Sequence, residues 1–82
     1  MNASLILELL VGVAPDIDPA TVRPDVEFRD QFDFDSMDLL NFATAIHQRF
    51  GIDVPERDYR RLVSVDQCIA YLRERLPVPE SP

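Results

Sequence analysis

Three segments of this 82-residue chain place apolar side chains at the three- and four-residue spacing of an α-helix, and prolines separate them. That spacing gathers the apolar residues on one face, which each helix has to bury against another element. No segment shows the alternation of a strand, and no internal repeat occurs. A chain of this length makes one domain and buries only about 60% of its unfolded surface. The sequence therefore predicts an all-α fold, a small bundle of three main helices plus one short helix, around a thin core.

Helix boundaries are indicated by local signals. The first main helix is predicted over 4–13, because Pro15 cannot continue it. The second is predicted over 36–50, from a cap at Asp35 or Ser36 to a stop at Gly51. A long loop, 14–35, joins these two helices and has room for a helical turn near 26–31.

The rest of the chain is predicted to hold the short helix, over 55–62, and the last main helix. This last helix starts at the capping box formed by Ser64 and Gln67 and ends before Pro77. The domain is expected to span 1–77, with 78–82 as a disordered tail.

The charge balance limits the possible partners. Fifteen acidic residues against eight basic ones give a formal net charge of −7. Binding to a nucleic-acid backbone needs clustered positive charge, so the sequence predicts no nucleic-acid partner and favours proteins with basic surfaces. No apolar run approaches the roughly 18 residues of a membrane span, and the start lacks the basic leader of a secretory signal. We expect a cytoplasmic monomer.

Cysteine and histidine usage argues against an enzyme. Cys68 and His47 are the single residues of their kinds, so neither an internal disulfide nor a Cys/His metal site can form. Cys68 lies in an apolar stripe and is predicted to be buried, whereas His47 adjoins polar residues and is predicted to be exposed. His47 lies about three helical turns from Ser36, too far to act as its base. We predict no catalytic residue and no metal.

Ser36 is the residue whose surroundings point to chemistry. It lies where the long loop meets the second helix, between Asp35 and Asp38. Serine and aspartate are the preferred caps at such a position, so a purely structural role is one interpretation. Self-contained serine hydrolysis is not a second one, because no base lies near the serine.

The run Asp35-Ser36-Met37-Asp38, followed by Leu40, resembles the attachment motif of acyl carrier proteins. The resemblance covers nearly the whole chain and continues through Phe-Gly-Ile-Asp-Val-Pro-Glu at 50–56 to 65–72. Asp33 departs from the family pattern, which usually has glycine there. The second helix departs as well: Asn41, Thr44, His47, Gln48 and Arg49 stand where many members carry several glutamates.

This resemblance implies that Ser36 carries a 4′-phosphopantetheine arm, transferred from coenzyme A by a separate phosphopantetheinyl transferase. The thiol of the arm would hold acyl intermediates as thioesters for fatty-acid, polyketide or related biosynthesis. Implied partners are acyl-loading and acyl-transfer enzymes such as an acyl-carrier ligase, a ketosynthase or an acyltransferase. An aminoacyl or peptidyl carrier with the same arm, and a helical interaction adaptor without one, remain alternatives.

Two further sets of residues follow from the resemblance. The set expected to dock partner enzymes comprises Asp33, Asp35, Met37, Asp38, Leu40 and Asn41. The set expected to line a cavity for the acyl chain comprises Leu39, Ala43, Ile46, Val54, Tyr59, Leu62 and Ile69. Because Tyr59 is bulky, we expect restricted room for long chains. Because the second helix departs from the usual pattern, we expect a specialised carrier of a dedicated pathway.

Overall fold

The computed structural model of the protein describes residues 2–75, which form helices and connecting loops without a strand. In chain order these are α1 (Ala3–Val13), a first 3-10 helix (Pro19–Thr21), α2 (Phe28–Gln31), α3 (Ser36–Phe50), a second 3-10 helix (Glu56–Leu62) and α4 (Val65–Arg75). The predicted all-α bundle is confirmed, and its short helix is of the 3-10 type. The predicted end at Pro77 and the predicted tail lie outside the described residues.

The ends of the helices follow from local hydrogen bonds. Asn2 caps α1, since its Oδ1 accepts a hydrogen bond from the backbone N–H of Leu5 at 3.2 Å. Gly51 ends α3 in the left-handed conformation, with φ 70° and ψ 17°, which a residue with a Cβ adopts at a cost. Its N–H donates to the carbonyl of His47 at 2.8 Å. The second main helix therefore has the bounds that the sequence predicts.

The core lies where α1 packs on α3 and α4, with the second 3-10 helix packed against the latter two. Fully buried apolar side chains from all four elements fill it: Ile6, Leu10, Phe42, Ile46, Leu62, Cys68 and Leu72. The Cys68 thiol donates to the carbonyl of Leu62 at 3.3 Å, and burial raises the pKa of this thiol. Cys68 is thus a protonated part of the core, as its apolar surroundings predict.

The long loop is pinned to the rest of the bundle. The Gln31 side-chain amide donates to the carbonyls of Arg23 and Val26, each at 2.8 Å, and accepts from the Arg23 N–H at 2.9 Å. The N–H of Phe28 donates to the carbonyl of Val63 at 2.8 Å. These bonds replace a sheet or helix ladder for otherwise unpaired backbone groups. They fix the chain just before Ser36.

The second 3-10 helix is fastened to α4 by a polar network. The Tyr71 hydroxyl donates to the Asp58 carboxylate at 2.8 Å, and Arg75 donates to the same oxygen at 2.9 Å. Arg61 makes two hydrogen bonds to Glu74, at 2.9 and 2.6 Å. The guanidinium groups of Arg61 and Arg75 lie 4.9 and 4.7 Å from the centre of the Tyr71 ring. Desolvation, with the hydrogen bond to Asp58, raises the pKa of Tyr71.

Replacing Tyr71 with phenylalanine should lower the free energy of unfolding by about 1.5 kcal/mol, because a hydrogen bond to a charged group is lost while the ring stays packed. Urea denaturation of both forms measures the difference. Tyr59→Phe is the matched control, since its hydroxyl takes no part in this network, and we expect it to change stability by less than about 0.5 kcal/mol. Equal losses in the two variants would contradict a specific role for the Tyr71 hydroxyl.

Candidate functional site

The start of α3 is capped by two aspartates rather than by Ser36. Asp35 accepts a hydrogen bond from the Asp38 N–H at 2.9 Å, and the Asp38 carboxylate accepts one from the Asp35 N–H at 3.1 Å. This reciprocal capping box satisfies two backbone donors. Among the hydrogen bonds of residues 2–75, none involves the Ser36 hydroxyl, which lies on an exposed residue. The capping role belongs to Asp35, and the serine is left for other chemistry.

A cleft of about 340 Å³ opens beside Ser36. Its lining residues are Phe28, Arg29, Phe34, Asp35, Ser36, Leu39 and Val63. They come from α2, from the loop before α3, from the first turn of α3 and from the turn before α4. The site is therefore assembled by the pinned loop and not by one helix.

The apolar wall of the cleft is an aromatic cluster. The rings of Phe28 and Phe34 lie 5.2 Å apart between centres, and the ring of Phe28 meets the ring of Phe42 edge-on at 5.7 Å. Phe28 is 1% exposed and Phe42 is fully buried. The wall is thus continuous with the core and is fixed by it.

The residues expected to dock partners surround Ser36 at the surface. Met37 is 60% exposed and Leu40 is 41% exposed, both high for large apolar side chains. Asp33, Asp35 and Asn41 are exposed as well, and Asp38 is half-buried. The arrangement presents apolar side chains among carboxylates on the face that carries the serine.

The residues expected to line an acyl cavity are divided among several places. Leu39 lines the cleft beside Ser36, whereas Ala43, Val54 and Tyr59 line a separate recess of about 210 Å³. Ile46 and Leu62 are fully buried in the core, and half-buried Ile69 packs against it. Neither of these two spaces brings the whole set together.

The sequence interpretation did not include four of the residues that line the cleft: Phe28, Arg29, Phe34 and Val63. The recurrence of phenylalanine through the loop was a signal that this segment packs against the bundle. Its contact with Val63 depends on the fold, because the two segments lie far apart in the sequence.

Within residues 2–75, possible metal ligands are dispersed and the single histidine lies away from Ser36. These residues contain no group of three or more His, Cys, Asp or Glu side chains placed to hold a metal ion. His47 is exposed, its Nδ1 lies 3.2 Å from the carbonyl oxygen of Ile52, and it is about 16 Å along α3 from Ser36. None of the helices in this part of the chain has the length and apolar character needed to cross a membrane.

Comparison with known proteins agrees with this geometry. The family model described as "Phosphopantetheine attachment site" matches residues 4–72. An acyl carrier protein of Thermosynechococcus vestitus is 27% identical over 79 residues, which cover 93% of this chain and 98% of that protein. Acyl carrier protein 2 of Pseudomonas aeruginosa is 29% identical over 68 residues, covering 83% and 86%. A meromycolate extension acyl carrier protein of Mycobacterium bovis is 26% identical over 73 residues, covering 82% and 64%.

A helical domain with a serine exposed at a capped helix start, matched over most of its length by that family model, is a carrier and not an enzyme. The chain belongs to the acyl carrier protein family, whose members bear covalently attached 4′-phosphopantetheine. Such carriers interact with enzymes of acyl biosynthesis and with the transferases that modify them.

Proposed function

We propose that Ser36 is the attachment residue for 4′-phosphopantetheine in this acyl carrier protein. The observation that supports it best is the exposed Ser36 hydroxyl, which makes no hydrogen bond among the described residues because Asp35 and Asp38 complete the cap themselves. The surroundings fit the arm, since the serine opens on a cleft with an apolar wall and one cationic residue, Arg29. The arm supplies the thiol on which acyl groups are carried as thioesters.

The attachment step requires from this chain mainly the Ser36 hydroxyl. The Ser36 oxygen forms a bond to the phosphorus of coenzyme A that bears pantetheine, while the bond from that phosphorus to adenosine 3′,5′-bisphosphate breaks. The hydroxyl proton passes to a base of the phosphopantetheinyl transferase. This division of work agrees with the position of the single histidine, His47, which lies about 16 Å along α3 from Ser36. The carrier's part is to expose the hydroxyl at the capped start of α3.

Intact-mass spectrometry tests this proposal. The protein is incubated with coenzyme A, Mg²⁺ and a phosphopantetheinyl transferase of broad specificity, and peptide mapping then locates the modification. We expect a gain of one phosphopantetheine group, on the peptide that contains Ser36. No gain with a transferase that is active on another carrier would favour the interaction adaptor.

The docking surface proposed for partner enzymes consists of Asp33, Asp35, Met37, Asp38, Leu40 and Asn41. Apolar Met37 and Leu40 can anchor a partner, while the carboxylates around them attract basic residues and steer association. Asn41, Thr44 and Gln48 are exposed on α3 and uncharged, which agrees with a dedicated pathway in fatty-acid, polyketide or related biosynthesis. The proposed partners are the transferase and acyl-loading and acyl-transfer enzymes, and the proposed compartment is the cytoplasm.

We expect lengthening the attached acyl chain beyond a few carbons to raise the carrier's free energy of unfolding only slightly. Each buried methylene contributes about 0.8 kcal/mol, so six more buried methylenes would add about 5 kcal/mol. Half-buried Tyr59 occupies one side of the recess that Ala43 and Val54 line, so a decanoyl form should exceed a butyryl form by much less than that. Thermal or urea unfolding of the two acylated forms measures the difference.

Tyr59→Ala is the variant that tests the cause. Removal of the ring should enlarge the recess that Ala43 and Val54 line, and so increase the extra stability of the long-chain form relative to its own short-chain form. If the wild-type protein gains about 0.8 kcal/mol of stability for each added methylene, the predicted restriction of space for long acyl chains is wrong. An unchanged gain in Tyr59→Ala would show that this ring is not the restriction.

A further inference from the structure

We infer that Arg29 pairs with the phosphodiester of the arm and, with the apolar wall beside it, seats the first part of the arm in the cleft next to Ser36. The inference rests on the proposed function and adds to it a residue of this chain that holds the anionic end of the arm. The observation that supports it is that Arg29 and Ser36 line the same cleft.

The charges around Ser36 create the need for such a residue. A phosphodiester on this serine is an anion attached between Asp35 and Asp38, with Asp33 two positions before Asp35. Like charges this close oppose one another. The start of α3 offsets only part of this repulsion, because the Asp38 N–H is already bound to Asp35. Arg29 is the cationic residue in the lining of the cleft, opposite in charge to the new group.

The present contact of Arg29 leaves it available. Its Nε lies 3.1 Å from a carboxylate oxygen of Glu27, in a pair whose side chains are 74% and 38% exposed. Exposed pairs of this kind are weak and exchange readily. Because the contact uses Nε, the two Nη groups can donate to a phosphate, and a guanidinium suits the paired oxygens of that group.

The rest of the cleft matches the part of the arm that follows the phosphate. That part is the pantoate unit, whose carbon with two methyl groups lies next to the phosphate ester. Phe28, Phe34 and Leu39 offer apolar surface beside Ser36, in a space of about 340 Å³. An arm that enters this cleft meets a cation for its anion and apolar side chains for its methyl groups.

The test measures how strongly Arg29 and the phosphodiester depend on each other. Apo and phosphopantetheinylated forms are prepared for the wild type, Arg29→Gln, Arg29→Lys and Arg49→Gln, and intact mass confirms each state. Arg49 is the matched control: it is an exposed arginine about 20 Å from Ser36 along α3. The readouts are the melting temperature of each form and the ³¹P NMR resonance of each modified form.

In 0.1 M salt, we expect the change in melting temperature on modification to be about 2–5 °C less favourable in Arg29→Gln than in the wild type. The ³¹P resonance should move in Arg29→Gln, move less in Arg29→Lys and stay unchanged in Arg49→Gln. In 1 M NaCl the screening length falls to about 3 Å. Most of the difference in melting-temperature change between the wild type and Arg29→Gln should then disappear.

Equal effects of Arg29→Gln and Arg49→Gln on both readouts would overturn the role of Arg29. The two proposals fail separately in this design. A wild type that gains no mass would contradict the proposed function and the inference that rests on it. A wild type that gains the expected mass, without the Arg29 effects, would overturn the inference alone.

Discussion

Replacing Ser36 with alanine is expected to abolish loading with phosphopantetheine while leaving the fold intact. Loss of loading follows because the oxygen that would bond to phosphorus is removed. The fold should survive because the cap of α3 is made by Asp35 and Asp38, and the Ser36 hydroxyl adds no hydrogen bond among the described residues. Exposed substitutions away from special features change stability by less than about 0.5 kcal/mol. Intact mass after treatment with the transferase, together with urea denaturation, measures both effects.

Asp35→Ala is the matched variant, because it changes the neighbouring residue and should give the opposite pattern. Loss of an aspartate cap costs about 1 kcal/mol of stability, while the Ser36 hydroxyl remains in place. The variant should therefore still accept the arm, although more slowly, because Asp35 also belongs to the proposed docking surface. Loading of Ser36→Ala would show that another residue takes the group. If Ser36→Ala loses as much stability as Asp35→Ala, the Ser36 side chain also contributes to the cap of α3.

The comparison of Asp35 with Ser36 shows where sequence reasoning reached its limit. Both residue types are good caps, so the pattern predicted a helix start at this point without deciding which residue makes it. The extended backbone of Asp35, with φ −105° and ψ −174°, decides the matter. The other end of α3 was predictable, because a glycine after an apolar stripe is a local signal. Local signals fix the helix, while the choice between neighbouring caps needs coordinates.

The cleft could not be predicted from helical faces. Leu39, Ala43 and Ile46 fall on one stripe of α3, and the family resemblance implied that they share a cavity. In the structure Leu39 lines the cleft beside Ser36, Ala43 faces the other recess and Ile46 is buried in the core. The division arises because the long loop folds back on the bundle, and its anchors, such as the bond from Phe28 to Val63, join distant parts of the chain.

Replacing Phe28 with alanine is expected to lower the free energy of unfolding by about 3–5 kcal/mol. Phe28 is 1% exposed and its ring packs against Phe34 and Phe42, so the change leaves a cavity in the core and removes aromatic contacts. An 82-residue chain has a total stability of about 4–12 kcal/mol, so this single loss is a large part of it. Urea denaturation, followed by circular dichroism, measures the effect.

Two milder variants keep this prediction testable even where Phe28→Ala does not fold. Phe28→Leu retains apolar volume and should lose less than the alanine variant, while Phe32→Ala should lose less because that ring is half-buried and 6.5 Å from Phe28. Since Phe28 also lines the cleft, Phe28→Leu should weaken any stabilisation that the attached arm provides, whereas Phe32→Ala should preserve it. If Phe28→Ala and Phe32→Ala lower the free energy of unfolding equally, Phe28 contributes no more to the core than Phe32 does. That result would also mean that the cleft beside Ser36 is not supported by the core.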